Sequence, residues 1–291
     1  MKKIITLFIL VASIVLLVGC KKDDTNVVKL GYVNWAEGIA MTHLAAVILE
    51  DEMGYDVEVT QADVAPTFVS VANGSTDAFL DVWLPVTHKN QMEKYGDDLV
   101  NLGVNYEGAK IGLVVPEYVE INSIEELNRN KSLFDGKIIG IDSGAGIMST
   151  TEIAIDAYNL DFELITSSEA AMIASLKRAY DNQEPIVITG WEPHWKFADF
   201  DLKFLEDPDK IYGESEAIHT IVRKGLKNDK PEVYEFLEHF LTLSADDLGE
   251  LMARMEAKSN HESEFDVARI WKEENIDVVK GFLPKGLIKD F

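Results

Sequence analysis

Trp35, Trp83 and Trp191 carry the chemistry most legible in this chain. Each stands at or just past the end of a hydrophobic, β-branched run, among turn or helix-start residues rather than on a helical apolar face. In an open α/β sheet, ligands bind at such strand ends. The sharpest case is Ile186-Val-Ile-Thr-Gly-Trp-Glu-Pro-His-Trp-Lys-Phe197. Its strand halts at Thr189-Gly190, and Pro193 removes a ladder donor and restricts the residue before it, which leaves the Trp191 ring at a loop edge. A single Trp in such a place is more often an ordinary core aromatic; the same placement three times points to a cage. Three indole faces attract a cation whose charge is spread over methyl groups, because that ion is cheap to desolvate, and each contact is worth about 0.5–2 kcal/mol. Carboxylates in the cage would suit a bare ammonium or a metal ion better. A helix expected to begin at Gly38, just after Trp35, offers free N–H groups and a helix dipole for an anion. A cation site and an anion site this close together suggest a small zwitterion.

The elements that must position these residues read as two α/β units. Val27–Val33 is a predicted strand, Gly38–Met53 a helix closed by Gly54, and Tyr55–Thr60 a second strand. Val64–Asn73 is a helix ended by Gly74, and Ala78–Leu84 a strand running into Pro85. The second unit opens with a strand over Lys110–Val115, then a capping-box pattern at Ser123 that predicts a helix. A strand at Lys137–Ile141, helices at 147–158 and 167–180 and the strand at 186–191 follow. After a loop-rich stretch, Ala217–Arg223 is a strand, and helices are expected over 231–241, 245–257 and 264–279. The fold class is therefore α/β, two-lobed, with a ligand cleft between lobes. Residues 29–109 form lobe 1, with 217–291 returning to it, and 110–216 form lobe 2.

The first residues read as a targeting segment. Met1-Lys-Lys3 precedes an apolar run from Ile4 to Val18, too short for a bilayer span of ~20 residues, so residues 1–19 are expected to be a signal peptide. Leu17-Val-Gly-Cys20 resembles a bacterial lipobox, which implies cleavage before Cys20 and lipidation of its thiol, followed by a polar tether to residue 28. With the single Cys so used, no disulfide, thiolate nucleophile or Cys metal site is left. The six histidines show no metal-ligand spacing, and no cofactor motif appears. Loss of residues 1–19 takes two lysines and moves the net charge from −24 to −26. That acidity excludes nucleic acid as a partner and adhesion of the protein body to anionic lipid. It leaves the lipid on Cys20 as the membrane contact.

At the same residues the chain resembles the glycine betaine-binding lipoproteins of osmoprotectant ABC importers. The resemblance runs from Lys29 to about Met255. Its most specific stretches are Gly31-Tyr-Val-Asn-Trp-Ala-Glu-Gly-Ile-Ala40, Asp81-Val-Trp-Leu-Pro-Val-Thr-His88, Ala109-Lys-Ile-Gly-Leu-Val-Val-Pro116, Thr189-Gly-Trp-Glu-Pro-His-Trp195 and Ile218-His-Thr-Ile-Val-Arg-Lys-Gly225. It implies a non-catalytic, two-lobed, periplasmic-binding-protein-like molecule. Such a protein holds a quaternary ammonium in a prism of three Trp and its carboxylate on backbone N–H groups. By motif, Trp83 and Trp191 match prism positions, and Gly38 and Ile39 match the carboxylate site. Some members place the third Trp in the C-terminal segment, where this chain has Leu241-Thr242-Leu243; others have Asn-Trp after the first strand, so the third wall is assigned to Trp35. Glycine betaine is the implied ligand, with choline, carnitine or proline betaine as alternatives. An ABC permease is the implied partner, and the outer face of the cytoplasmic membrane the implied location.

His194 and His88 lie near cage tryptophans and are candidate donors to the carboxylate. Trp195 and Trp271 are read as structural, and Gly144-Ala-Gly146 as a tight turn near the cleft. The rival from another class is an exported hydrolase using Asp142, Ser143 or His194.

Overall fold

The computed structural model describes residues 26–240 and 243–287. The expected signal peptide and Cys20 lie outside the described residues, as do Leu241 and Thr242. Among the described residues, no helix is long and apolar enough to cross a membrane.

The described strands are β1 (Val27–Tyr32), β2 (Asp56–Gln61), β3 (Ala78–Leu84), β4 (Leu99–Pro116), β5 (Lys137–Ile139), β6 (Glu163–Ile165), β7 (Ile188–Glu192), β8 (Leu202–Phe204) and β9 (Glu216–Arg223). They form one hydrogen-bonded path in the order β2-β1-β3-β9-β4-β7-β5-β6, with β8 on β4. The path is two sheets joined by one strand: residues 99–109 of β4 pair antiparallel with β9, and residues 110–116 with β7 and β8. The molecule is mixed α/β and two-lobed, with β4 passing from one lobe to the other.

The helices are α1 (Ala36–Asp51), α2 (Val64–Ala72), α3 (Lys89–Tyr95), α4 (Gly146–Ala157), α5 (Glu169–Asp181), α6 (Lys196–Asp199), α7 (Leu226–Asp229), α8 (Pro231–His239), α9 (Ala245–Ala257), α10 (Glu264–Glu274) and α11 (Ile276–Lys280). α1 is buried on every face from Ala40 to Leu49, as expected of a helix apolar all round. It packs between the sheet and helices α9 and α10. At its C-terminal end, Lys272 and Arg269 of α10 donate to Glu50, Asp51 and Glu52, placing cations where the last carbonyls carry partial negative charge.

Some expectations need correction. The strand expected to begin at Lys110 starts eleven residues earlier, at Leu99. Its first half carries Asn101, Asn105, Glu107 and Gly108 and lacks a clean apolar alternation. Pairing with β9, through three register shifts, makes it a strand regardless of propensity. Ser123 does accept from the Glu125 amide at 3.3 Å, yet it opens only short 3-10 turns at Ile124–Glu126 and Asn128–Phe134. The last helix is broken at Asn275, whose side chain caps the Trp271 carbonyl at 2.9 Å. Short elements with few apolar residues, α3, β6 and β8, gave no sequence signal.

A buried ion cluster ties the C-terminal segment to the first sheet. Asp77, before β3, is 4% exposed. It accepts from the Lys29 amide at 2.9 Å, from Arg223 Nε at 2.7 Å and from Lys230 Nζ at 2.7 Å. Burial alone would raise its pKa, but the bonds from Lys230, the Lys29 amide and Arg223 outweigh burial and hold it below the ordinary value. Removing one partner of a buried pair leaves an uncompensated charge and costs about 3–5 kcal/mol. Asp77→Ala is therefore expected to lose that much stability in chemical denaturation at pH 7; a loss under ~1 kcal/mol would mean water already serves these cations.

Candidate ligand-binding site

Each of the three indoles is placed by a different element. Trp35 is the N-cap residue of α1, in extended conformation. Trp83 is the second-last residue of β3, opposite Ile218 of β9, and Trp191 lies within β7, opposite Ile111 of β4. All three are 2–5% exposed. They meet around one narrow cavity of about 20 Å³, whose other walls are Glu37, Thr87, Ile141, Ala145, Gly146 and Ile147. β7 runs on to Glu192, so Trp191 is a strand residue rather than a loop edge.

Hydrogen bonds and ring contacts aim the rings. Trp83 Nε1 donates to Asp81 Oδ1 at 2.6 Å, within the same strand. Trp191 Nε1 donates to Glu37 Oε2 at 2.9 Å, reaching from lobe 2 to the first turn of α1. Trp35 is aimed by stacking on His88, with ring centroids 6.0 Å apart and planes 10° apart; its Nε1 has no partner among the described residues. On Trp191, the Lys196 ammonium sits 4.2 Å from the ring centroid and donates to the Trp191 carbonyl at 3.1 Å.

A cage of bare indoles was expected, and the structure adds a carboxyl group to its wall. Burial pushes Glu37 up to about 7, against the pull of the Trp191 N–H, its own backbone and Lys196. Burial, and then Glu37, hold Asp81 well above the ordinary carboxylate range, and the same two causes act on Glu169. Lys196 is pushed down to about 7 by burial. The acidic groups beside the cage are thus partly neutralised by their surroundings.

The two ends of the expected anion site separate. At the N-terminus of α1, the Ile39 amide is already bonded to the Trp35 carbonyl at 2.8 Å, and the Ala36 amide to Glu169 Oε2 at 3.3 Å. A methyl group at Gly38 would stand 2.7 Å from Asp81 Oδ2. With Glu37 in the same turn, this helix end is filled with carboxyl groups, and Ile39 lines a neighbouring cavity instead. The N-terminus that faces the indoles across the cavity belongs to α4. There Ala145 is the N-cap without a side-chain cap, and Ala145, Gly146 and Ile147 all line the cavity. The Gly144-Ala-Gly146 turn was the sequence signal for it.

Of the two histidines, His194 is fully engaged. Its Nε2 pairs with Glu169 Oε1 at 2.9 Å and its Nδ1 accepts from the Lys196 amide at 3.0 Å. His88 is fully buried, and burial lowers its pKa to about 3, so the ring is neutral. Its Nδ1 accepts from the Trp83 amide at 2.9 Å, which puts the proton on Nε2; that N–H has no partner among the described residues. A buried donor left open is costly unless something accepts from it; His88 stacks on Trp35, one ring away from the residues that line the cavity. Trp195 lines two neighbouring cavities with Met252 and not the cage. Of the Leu241–Ser244 segment, Leu243 and Ser244 are described and neither lines the cage.

A family model described as the substrate-binding domain of ABC-type glycine betaine transport systems matches residues 26–274. The glycine betaine/carnitine transport binding protein GbuC of Listeria monocytogenes is 50% identical over 145 residues, which are 49% of this chain and 47% of that protein. The chain thus matches about half the length of that curated relative. Among solved structures, the glycine betaine and L-proline binding protein ProX of Borrelia burgdorferi is 39% identical with a TM-score of 0.86, covering 90% of this chain and 98% of that one. Lactococcal OpuAC in its closed, glycine betaine-bound conformation is 38% identical with a TM-score of 0.82, covering 89% of this chain and 100% of that one.

The Glu37 carboxyl gives the site a pH signature. A folded pKa of about 7, above the ordinary 4.5, contributes stability below pH 4.5 that is lost as the pH rises through about 7. Across that window the melting temperature of the protein is expected to fall relative to that of Glu37→Gln, which keeps an acceptor for Trp191. Parallel melting curves for the two proteins would place Glu37 in water rather than in the cage wall.

Proposed function

Because the chain belongs to the family of substrate-binding domains of ABC-type glycine betaine transport systems, we propose that it captures glycine betaine between its lobes and delivers it to a membrane permease. The observation that carries this reading is the meeting, around one cavity, of three indoles with the N-terminal residues of α4, while His88, stacked on Trp35, offers an open Nε2–H. The trimethylammonium group packs on the indole faces, where desolvated cation–π contacts are strongest. The carboxylate accepts from the amides of Gly146 and Ile147 and from His88 Nε2–H. Residues 29–109 with 217–291 act as one lobe and 110–216 as the other, and the lobes close over the ligand. Lipidation at Cys20 holds the protein to the outer face of the cytoplasmic membrane, beside its permease.

A second reading, choline, is favoured by one feature: Glu37 in the cage wall adds a counter-charge to a ligand that brings no carboxylate of its own. Calorimetry with glycine betaine, choline and glycine separates the two. Betaine is expected to bind most tightly, since choline leaves the α4 amides and His88 unpaired and glycine keeps a hydration shell that indoles cannot replace. Tighter binding of choline would move the assignment to that ligand. Trp83→Ala is expected to weaken betaine at least ~10-fold, about 1.4 kcal/mol or more, and unchanged affinity would remove Trp83 from the ligand's contacts.

A further inference from the structure

We propose that Glu216 is the positioning residue that fixes the Val86–His88 segment, and that it thereby sets the preference of the cleft for ligands carrying a carboxylate over purely cationic ones. This rests on the zwitterion reading given above. Glu216 opens β9 and does not line the cage. Its Cα partner is Ala109, beside the point where β4 leaves one sheet for the other. The carboxylate is 4% exposed as a residue, and it collects three donors from one short segment. Oε1 accepts from the Val86 amide at 2.8 Å and the Thr87 amide at 2.9 Å, and Oε2 accepts from the Thr87 hydroxyl. Bonds to an ionised carboxylate are stronger than neutral ones, and here the donors are half-buried.

What they hold in place is the anion half of the cage. Val86 and Thr87 lie between Trp83 and His88, whose main chains and ring are already tied by the His88 amide to the Trp83 carbonyl and by the Trp83 amide to His88 Nδ1, both at 2.9 Å. That pair closes the two ends of the loop, and Glu216 closes its middle. The Thr87 carbonyl in turn packs on the first residue of α4: a methyl group at Gly146 would stand 2.1 Å from it. The distance from His88 Nε2 to the amides of Gly146 and Ile147 is thus governed by a loop whose middle is anchored by Glu216. Trp83, although tied to His88 at one end of this loop, has anchors of its own in the pairing of its strand with β9 and in its bond to Asp81. Loosening the loop is therefore expected to degrade carboxylate recognition and leave cation recognition largely intact.

The test is a selectivity ratio, which a purely structural loss does not move. Affinities for glycine betaine and for tetramethylammonium are measured by calorimetry on the mature wild type, Glu216→Gln, Glu216→Ala and Thr87→Ala. The preference for betaine over tetramethylammonium is expected to shrink at least ~10-fold in Glu216→Ala and less than ~3-fold in Glu216→Gln, which keeps an acceptor for the amides and a donor for Thr87. If Glu216→Ala does not fold, Thr87→Ala, which removes one of the three bonds, is expected to shrink the ratio in the same direction. A ratio unchanged in the alanine variants, or parallel losses for both ligands, overturns the role assigned to Glu216. Failure of the wild type to bind betaine overturns instead the zwitterion reading on which the role rests.

Discussion

The hydrogen bond from Trp191 Nε1 to Glu37 is the contact on which the cage depends. It joins a strand of lobe 2 to the first turn of a helix in lobe 1, and both partners are buried. A buried indole N–H and a buried carboxyl each cost free energy when left unpaired. The bond satisfies both groups at once and links β7 to α1 beside the cage. Glu169 repeats the logic beside it: one oxygen accepts from the Ala36 amide in lobe 1, the other pairs with His194 in the loop after Trp191. Where the cage wall lies within a lobe, the partner does too, as with Trp83 and Asp81.

The sheets share one strand beside these pairs. β4 is shared by both sheets, and it meets β9 through register shifts at 101/103, 104/106 and 107/109. Gly103 and Gly108 take φ values of +113° and +77°, which an L side chain rarely adopts. These are places where a continuous strand changes direction. The residues that follow, 110–114, pair without a break with β7 and so set the height of Trp191 directly. The same strand that separates the lobes therefore fixes where the lobe 2 indole stands relative to lobe 1.

Much of this was legible in the sequence, and the reasons for the rest are physical. Trp35, Trp83 and Trp191 drew attention because each follows a β-branched run among turn or helix-start residues, and the three line one cavity. The mixed α/β layout was legible for similar reasons, since α1, β3 and β7 are long or strongly apolar. The anion pole was placed at Gly38 and Ile39 because that helix begins right after Trp35. Sequence proximity could not reveal that Glu169, 133 positions away, already serves the Ala36 amide, nor that Asp81 presses on Gly38. His194 drew attention as the histidine next to a cage tryptophan. Its two partners, Glu169 and the Lys196 amide, are a tertiary fact. His88 was a candidate on the same ground, and only the structure shows that its Nε2 lacks an acceptor among the described residues.

The contrast between the two helix ends also determines how a zwitterion must lie. Both α1 and α4 present an N-terminus to the same small region, and a helix dipole by itself would draw a carboxylate to either. Around α1 stand Glu37, Asp81 and Glu169, while the walls contributed by α4 are Ala145, Gly146 and Ile147, with no acidic side chain. Even a partly ionised Glu37 matters at this range, since unit charges 4 Å apart interact by about 4 kcal/mol at an effective dielectric constant of 20. A ligand carboxylate turned toward α1 would meet that repulsion and lose the α4 amides, whereas a methylated ammonium turned the same way meets indole faces and Glu37. The net charge of −24 has no part in this choice, because it acts on a neutral zwitterion as a whole and cancels. For the proposed zwitterion, this difference favours the orientation with its carboxylate toward α4, away from the acids that surround the start of α1.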